Sequence, residues 1–166
     1  MSYQNRFVAT DNLIAHLNPL VNAITDTAIK SNYAGFLAVN AVTVYELAIK
    51  DIFFDFAQKK NIVFGSFIEK HFSNINGRIK IDDLKGQHIK PFGIKYLDKF
   101  EAKLKIREKK IFDESRNNVR SNYSNLIICR HKYVHGGSPT LTFQEVLDSY
   151  QIGKDVIHSL YEAMQR

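Results

Sequence analysis

The stretch Asn125-Leu-Ile-Ile-Cys-Arg-His-Lys-Tyr-Val-His-Gly-Gly137 changes from an apolar run to a cationic one and ends in two glycines. Its apolar positions favour a helix, and two glycines followed by Pro139 are typical of a helix C-terminus. A helix end that serves only for packing has no need of one arginine and two histidines within six residues. The sequence therefore predicts that this helix end carries the functional site and that the remaining chain supports it.

Helical patterns surround this stretch on both sides. Apolar residues recur every three or four positions, as expected for helices with one buried face. The predicted helices cover residues 7–29, 36–60, 94–111 and 117 or 118 to 135, and a last helix begins at the capping box Thr142-x-x-Glu145. A turn is expected at residues 30–35, before the second helix.

Residues 61–92 are less regular and are predicted to form a short helical insert. Ser66-x-x-Glu69 has the spacing of a capping box, and Asn74-Ile-Asn-Gly77 is typical of a turn. Residues 82–88 favour one or two helical turns. The whole chain, residues 1–166, is therefore expected to form one all-α domain, an antiparallel bundle of four to five main helices with this insert.

Composition limits the class of protein. No apolar run approaches the roughly 20 residues that span a bilayer, and the first residues lack the layout of a signal peptide. The one cysteine, Cys129, cannot form an internal disulfide, so a cytoplasmic protein without membrane contact is expected.

The positive charge is concentrated in one block. Residues 75–120 contain thirteen Lys and Arg against seven Asp and Glu, which accounts for the whole net charge of +6, since the remainder has ten of each. Such clustering indicates a polyanionic partner such as RNA. The alternative is a basic helix face that only aids solubility.

Arg130, His131 and His135 are the candidate catalytic residues. An ordinary histidine, with a pKa of about 6.5, exchanges protons near neutral pH, and an arginine can neutralise a phosphorane-like transition state. His131 and His135 are one turn apart, whereas Arg130 and His135 differ by roughly 140° around a regular helix. They can converge if the last turn unwinds or if both border one cleft. Zinc binding would need further ligands, and a purely structural cationic cluster is the other alternative.

Three further residues are weaker candidates for substrate contact. Glu46 interrupts an apolar helix, where a carboxylate is costly to bury unless it is paired. It is expected either to pair with an arginine or histidine of a neighbouring helix or to face water. Lys132 is a candidate phosphate contact, and Tyr133 is a candidate for base stacking or, alternatively, for packing.

The phrase Arg130-His-Lys-Tyr-Val-His135, followed by Gly-Gly, resembles the R-x(4–6)-H motif of HEPN domains. The late position of the helix and the additional helix after it agree with that family. The resemblance implies a metal-independent endoribonuclease without a cofactor, acting as a homodimer in which the two motif helices share one cleft. Its products would be a 2′,3′-cyclic phosphate and a 5′-hydroxyl.

The resemblance also implies a role for each residue. His135 would act as acid and base, Arg130 would bind the scissile phosphate, and His131 would orient the site. Small HEPN proteins of this kind occur in bacterial toxin and phage-defence loci. The resemblance therefore implies a cognate antitoxin or defence protein as a partner, in addition to RNA. Other HEPN domains are non-catalytic modules that bind nucleic acid or a protein, and this is the alternative function.

Overall fold

Seven α-helices form the part of the chain that the structure, a computed structural model, describes: residues 3–73, 75 and 77–165. They are α1 (Asn5–Ala23), α2 (Thr27–Gln58), α3 (Ile62–Phe72), α4 (Ile81–Asp83), α5 (Ile94–Ser115), α6 (Val119–Val134) and α7 (Phe143–Met164). A π-helix, Leu84–Ile89, and a 3₁₀ turn, Lys90–Phe92, connect α4 to α5. The predicted all-α bundle with a short helical insert is confirmed. No helix in these residues is both long and apolar enough to cross a bilayer.

Helix α2 lies at the centre of the bundle, where it contacts α1, α3, α6 and α7. The ring of Tyr45 in α2 is stacked between Tyr123 of α6 and Tyr150 of α7, at centroid distances of 5.5 and 5.8 Å. The hydroxyl of Tyr45 donates a hydrogen bond to the carbonyl of Tyr150, and burial raises the pKa of all three phenols. This stack fixes α6 against both α2 and α7.

The predicted turn at residues 30–35 is wrong, because these residues lie inside α2. The chain breaks earlier, at Ile24, whose backbone is extended. Asp26 then caps α2, since its Oδ1 accepts hydrogen bonds from the amides of Ala28 (2.8 Å) and Ile29 (3.1 Å). Gly35, at the end of that range, forms a close contact with Tyr133 of α6.

The insert begins differently from the prediction. Asn61 caps α3 by accepting from the amides of Val63 (2.8 Å) and Phe64 (3.3 Å), whereas Ser66 donates to the carbonyl of Ile62. A helix start at Ser66 is therefore wrong, because an earlier cap extends α3 by a turn. The helical turns expected at residues 82–88 are confirmed. The turn predicted at residues 74–77 includes residues 74 and 76, which lie outside the described residues.

Candidate active site at the end of α6

Helix α6 ends in a glycine cap. Gly136 has φ +80°, the left-handed conformation that glycine adopts without strain. Its amide donates to the carbonyl of Tyr133 (3.2 Å), and the amide of Gly137 donates to that of Lys132 (2.9 Å), the pair of bonds of a Schellman motif. The amide of His135, the last residue before the cap, still donates to the carbonyl of His131 (3.2 Å). The last turn therefore does not unwind, so unwinding does not bring Arg130 and His135 together.

The two histidines lie together on the outer face of α6. Their ring centroids are 4.4 Å apart with an interplanar angle of 61°, and both side chains are exposed. Ile128 precedes His131 by three residues and is 45% exposed, so it extends the same stripe. The imidazoles are thus open to a substrate and to a second protein surface.

Arg130 faces the interior of the bundle. Tyr123, Leu126 and Ile127, which precede it by seven, four and three residues, are all buried. The guanidinium lies beside Gly77, where an added Cβ would be 3.6 Å from Nη1 of Arg130 and 3.8 Å from Oε1 of Glu46. The structure therefore brings Arg130 to Glu46, as expected for a carboxylate on a neighbouring helix, and turns it away from the imidazoles.

The pair of Glu46 and Arg130 is close but not hydrogen-bonded within the described residues. Burial raises the pKa of Glu46, while the positive charges of Arg130 and Lys50 and the nearby amide of Gly77 oppose the rise. Oε1 of Glu46 and Nε of Arg130 are both buried without a hydrogen-bond partner in this part of the chain. Burial of a carboxylate without full hydrogen bonding is costly, which accounts for the raised pKa of Glu46.

The segment that carries Gly77 is held against α6 by side chains that the sequence analysis did not single out. The hydroxyl of Tyr123 donates to the carbonyl of Ile79 (2.7 Å), and Nε2 of His88 bonds that of Arg78 (2.7 Å). Burial lowers the pKa of His88, so its neutral form is favoured. No local sequence pattern indicates these contacts, because each joins residues that are ten or more positions apart.

Tyr133 lies across Gly35 of α2. A Cβ on Gly35 would be only 2.2 Å from Cδ2 of the tyrosine ring, so the ring occupies the space of the missing side chain. The half-buried ring also borders an apolar cavity of about 310 Å³ with Tyr33 and Phe36. This position supports the packing role of Tyr133, while its contact with substrate stays a prediction. Lys132 is exposed beside it.

A protein-family model described as RiboL-PSP-HEPN matches residues 5–166. The chain belongs to the RiboL-PSP-HEPN family. The HEPN resemblance is thereby confirmed over nearly the whole chain, far beyond the motif on which it was based, and it points to a function connected with RNA or nuclease chemistry. No curated protein and no solved structure matches the chain.

The basic block of this HEPN protein divides into two parts. Arg107 of α5 pairs with Asp155 (2.7 Å) and Glu162 of α7. Likewise Arg120 pairs with Glu101 (2.8 Å) and Glu108 (2.6 Å), which ties α6 to α5. These cations hold the bundle together, so a polyanion would meet chiefly the remaining cations, such as Arg78, Lys90 and Lys99, which form no ion pair within the described residues.

Within residues 3–73, 75 and 77–165, no group of three or more His, Cys, Asp and Glu side chains is placed to hold a metal ion.

Proposed function

We propose that this HEPN protein is a metal-independent endoribonuclease that cleaves RNA by transesterification. The observation that carries the proposal is the exposed pair His131 and His135 at a capped helix end, in a chain of a family connected with RNA. Two imidazoles 4.4 Å apart can divide proton removal and proton donation between them.

In the proposed reaction, the imidazole of His135 removes the proton of the ribose 2′-hydroxyl. The 2′-oxygen forms a bond to phosphorus, the bond to the 5′-oxygen breaks, and a second imidazole gives that oxygen its proton. The products are a 2′,3′-cyclic phosphate and a 5′-hydroxyl. Arg130 would neutralise the extra negative charge on the phosphoryl oxygens in the transition state.

The proposal also requires a second copy of the chain. Arg130 faces inward and His135 outward, so one copy of α6 does not present both to the same side. The outer stripe of α6, with exposed Ile128 and small Ser121, is suited to packing against another helix. A homodimer with two α6 helices face to face would place both histidine pairs around one cleft, and each Arg130 would have to turn from the bundle interior toward the edge of that cleft to reach the substrate.

We further propose that the nuclease is the effector of a toxin or phage-defence system, held in check by a cognate antitoxin or defence partner. The support for this role is the likeness to small HEPN proteins of such loci. Growth arrest on induction of the wild-type chain, but not of His135→Ala, would be expected in bacteria.

The decisive assay is cleavage of RNA by purified protein in EDTA, with the product termini identified. His135→Ala should lower the cleavage rate at least about a hundredfold, since general acid–base catalysis contributes factors of about 10²–10⁴. His16→Ala is the matched control, because His16 is an exposed histidine of α1 away from the motif. Cleavage by His135→Ala at the wild-type rate would refute the assignment.

A mixing experiment tests the shared cleft. If each site takes Arg130 from one copy and His135 from the other, mixed dimers of Arg130→Ala and His135→Ala contain one intact site and regain activity. If both residues act within one copy, the mixture stays inactive.

The alternative is a non-catalytic module that binds nucleic acid or a protein. The inward position of Arg130, beside Glu46 and away from His135, is the observation in its favour. It predicts salt-sensitive RNA binding without cleavage by either the wild type or His135→Ala.

A further inference from the structure

An aromatic groove of about 520 Å³ lies between α3, the helical turns at residues 87–92 and the start of α5. Phe56, Phe72 and Phe92 form its inner wall, where the rings of Phe56 and Phe92 meet edge to face at 5.6 Å. Phe67 and His71 of α3 and Tyr96 of α5 border its opening. The groove is open to solvent, and its inner wall belongs to the hydrophobic core, whereas Phe67 at the opening is exposed and is not needed for the core.

Two of these rings form a parallel pair at the surface. Phe67 and His71 are one helical turn apart, with centroids separated by 6.1 Å and planes inclined by only 17°. The side chain of Phe67 is 63% exposed, an unusual position for phenylalanine. A flat ligand such as a nucleobase can stack on rings presented in this way.

Lys90 and Lys99 lie near the groove, whereas Lys60 reaches the ring of Phe56 from a neighbouring cavity that it lines with Met164 and Gln165. Nζ of Lys60 lies 5.4 Å from the centroid of Phe56, and Nζ of Lys99 lies 5.9 Å from that of Tyr96. Exposed Lys90 directly precedes the groove residues Pro91 and Phe92. The three lysines form no ion pair within the described residues, although the acidic Glu69 lies nearby on α3. Aromatic rings with a lysine rim match the bases and phosphates of a single nucleic acid strand.

The groove adjoins a second cavity on the side of the Gly77 segment. A smaller cavity of about 200 Å³ shares His71, Phe72 and His88 with it and continues to Ile75 and Arg78. These last two residues flank the segment at Gly77, which lies beside Arg130. Along α2, Phe56 of the groove is ten residues from Glu46, a rise of about 15 Å.

His88 separates the groove from this segment. It is 7% exposed and lines both cavities. Because its Nε2 bonds the carbonyl of Arg78, Nδ1 is left as an acceptor, and Nδ1 is buried without a partner in the described residues.

We infer that this groove holds an unpaired base of an RNA strand whose backbone continues past Arg78 to Arg130. The inference rests on the proposed function in taking RNA as the ligand. The base stacks on the Phe67–His71 pair, while Lys90 and Lys99 face the phosphates. Stacking accepts every base, so the groove selects unpaired RNA over duplex and not a particular sequence.

The test measures binding and needs no cleavage. A fluorescein-labelled single-stranded RNA of about twelve nucleotides, within the usual site size, is titrated with the His135→Ala variant of residues 1–166 in EDTA, and binding is followed by fluorescence anisotropy. Adding Phe67→Ala should weaken binding about five- to a hundredfold, the effect of losing one stacked base. Phe112→Ala is the matched control, because Phe112 is an exposed phenylalanine of α5 outside the groove, and it should leave the affinity unchanged.

A strand of the same length without bases separates stacking from charge. It should bind the parent and Phe67→Ala equally. In the active background, Phe67→Ala should raise KM and leave kcat unchanged, because the residue is remote from the reacting atoms.

The outcomes distinguish the groove from the nuclease. If the wild type does not cleave RNA but binding depends on Phe67, the nuclease proposal fails and the groove stands. If RNA is cleaved and Phe67→Ala keeps the parent's affinity and KM, the groove inference fails alone. The groove inference is also overturned if the parent, His135→Ala, does not bind the oligonucleotide. It is overturned as well if Phe67→Ala loses self-association but keeps its RNA affinity, because the groove would then be a protein contact.

Discussion

Replacement of Gly35 by alanine tests how α6 is positioned on α2. An added Cβ would lie 2.2, 2.4 and 2.5 Å from Cδ2, Cγ and Cε2 of Tyr133. Carbon atoms in contact are normally about 3.5–4.0 Å apart. The ring therefore has to move by more than about 1 Å, and Tyr133 belongs to the last turn of α6, between Arg130 and His135.

Two opposing effects set the magnitude. Alanine favours a helix over glycine by about 0.8–1.0 kcal/mol. Overpacking costs about 1–3 kcal/mol, and the upper part of that range applies here because the ring body, not a flexible end, meets the new methyl group. We expect Gly35→Ala to lower the free energy of unfolding by about 1–2 kcal/mol.

Urea unfolding of four proteins measures the effect: the wild type, Gly35→Ala, Tyr133→Ala and the double variant. Without the tyrosine ring, Gly35→Ala should stabilise by about 1 kcal/mol through helix propensity alone. The coupling energy of the cycle is then about 2–3 kcal/mol, which is large for a single contact. Gly86→Ala is the control, since nothing lies within 4 Å of a Cβ at that position.

A gain of about 1 kcal/mol from Gly35→Ala in both backgrounds would refute the reasoning. It would mean that the ring of Tyr133 does not lie on Gly35. The ring would then be available for base stacking, the role that the packing position disfavours.

Two further changes have defined outcomes. Glu46→Gln should raise the urea midpoint at neutral pH, because burial raises the pKa of Glu46 above 4.5 and the ionised form is the costly one in the folded state. The stability advantage of Glu46→Gln should be absent below about pH 4.5, where the unfolded chain also holds the proton, and should grow as the pH rises toward the raised pKa of the folded state. An equal gain at every pH would contradict this cause. Gly136→Ala should cost about 1–2 kcal/mol of stability, because φ is +80° there, and should also reduce RNA cleavage by disordering His135. If the urea unfolding curve of Gly136→Ala coincides with that of Gly86→Ala, backbone strain at residue 136 is excluded.

The sequence predicted α6 and its cap well because both ends carry local signals. Asn118 accepts a hydrogen bond from the amide of Ser121 (2.9 Å), and Gly136 supplies the left-handed residue. For Glu46 the sequence left two alternatives, a cation of another helix or water, and the structure places it beside Arg130. The turn before α2 lies near Ile24 and not at residues 30–35, because the cap at Asp26 starts α2 well before Gly35.

The orientation of Arg130 could have been predicted from the spacing of Tyr123, Leu126 and Ile127, which share its side of the helix. The groups that Arg130 contacts on that side could not have been predicted. Gly77 reaches Arg130 through hydrogen bonds that join Tyr123 and His88 to distant carbonyls, and such contacts leave no periodic trace in a sequence. The basic block was likewise visible as a charge excess, but its division into internal ion pairs and solvated cations depends on the packing of α5 against α6 and α7.

The length of α2 restricts how this chain can vary. Gly35, Glu46 and Phe56 lie on one unbroken helix and serve three different neighbours: Tyr133, the Arg130 segment and the aromatic groove. One inserted residue would rotate everything beyond it by about 100° and shift it by about 1.5 Å. Insertions and deletions between residues 35 and 56 should therefore be excluded in functional relatives, whereas residues 138–141, which lie between the cap of α6 and the cap of α7, should tolerate changes in length more readily.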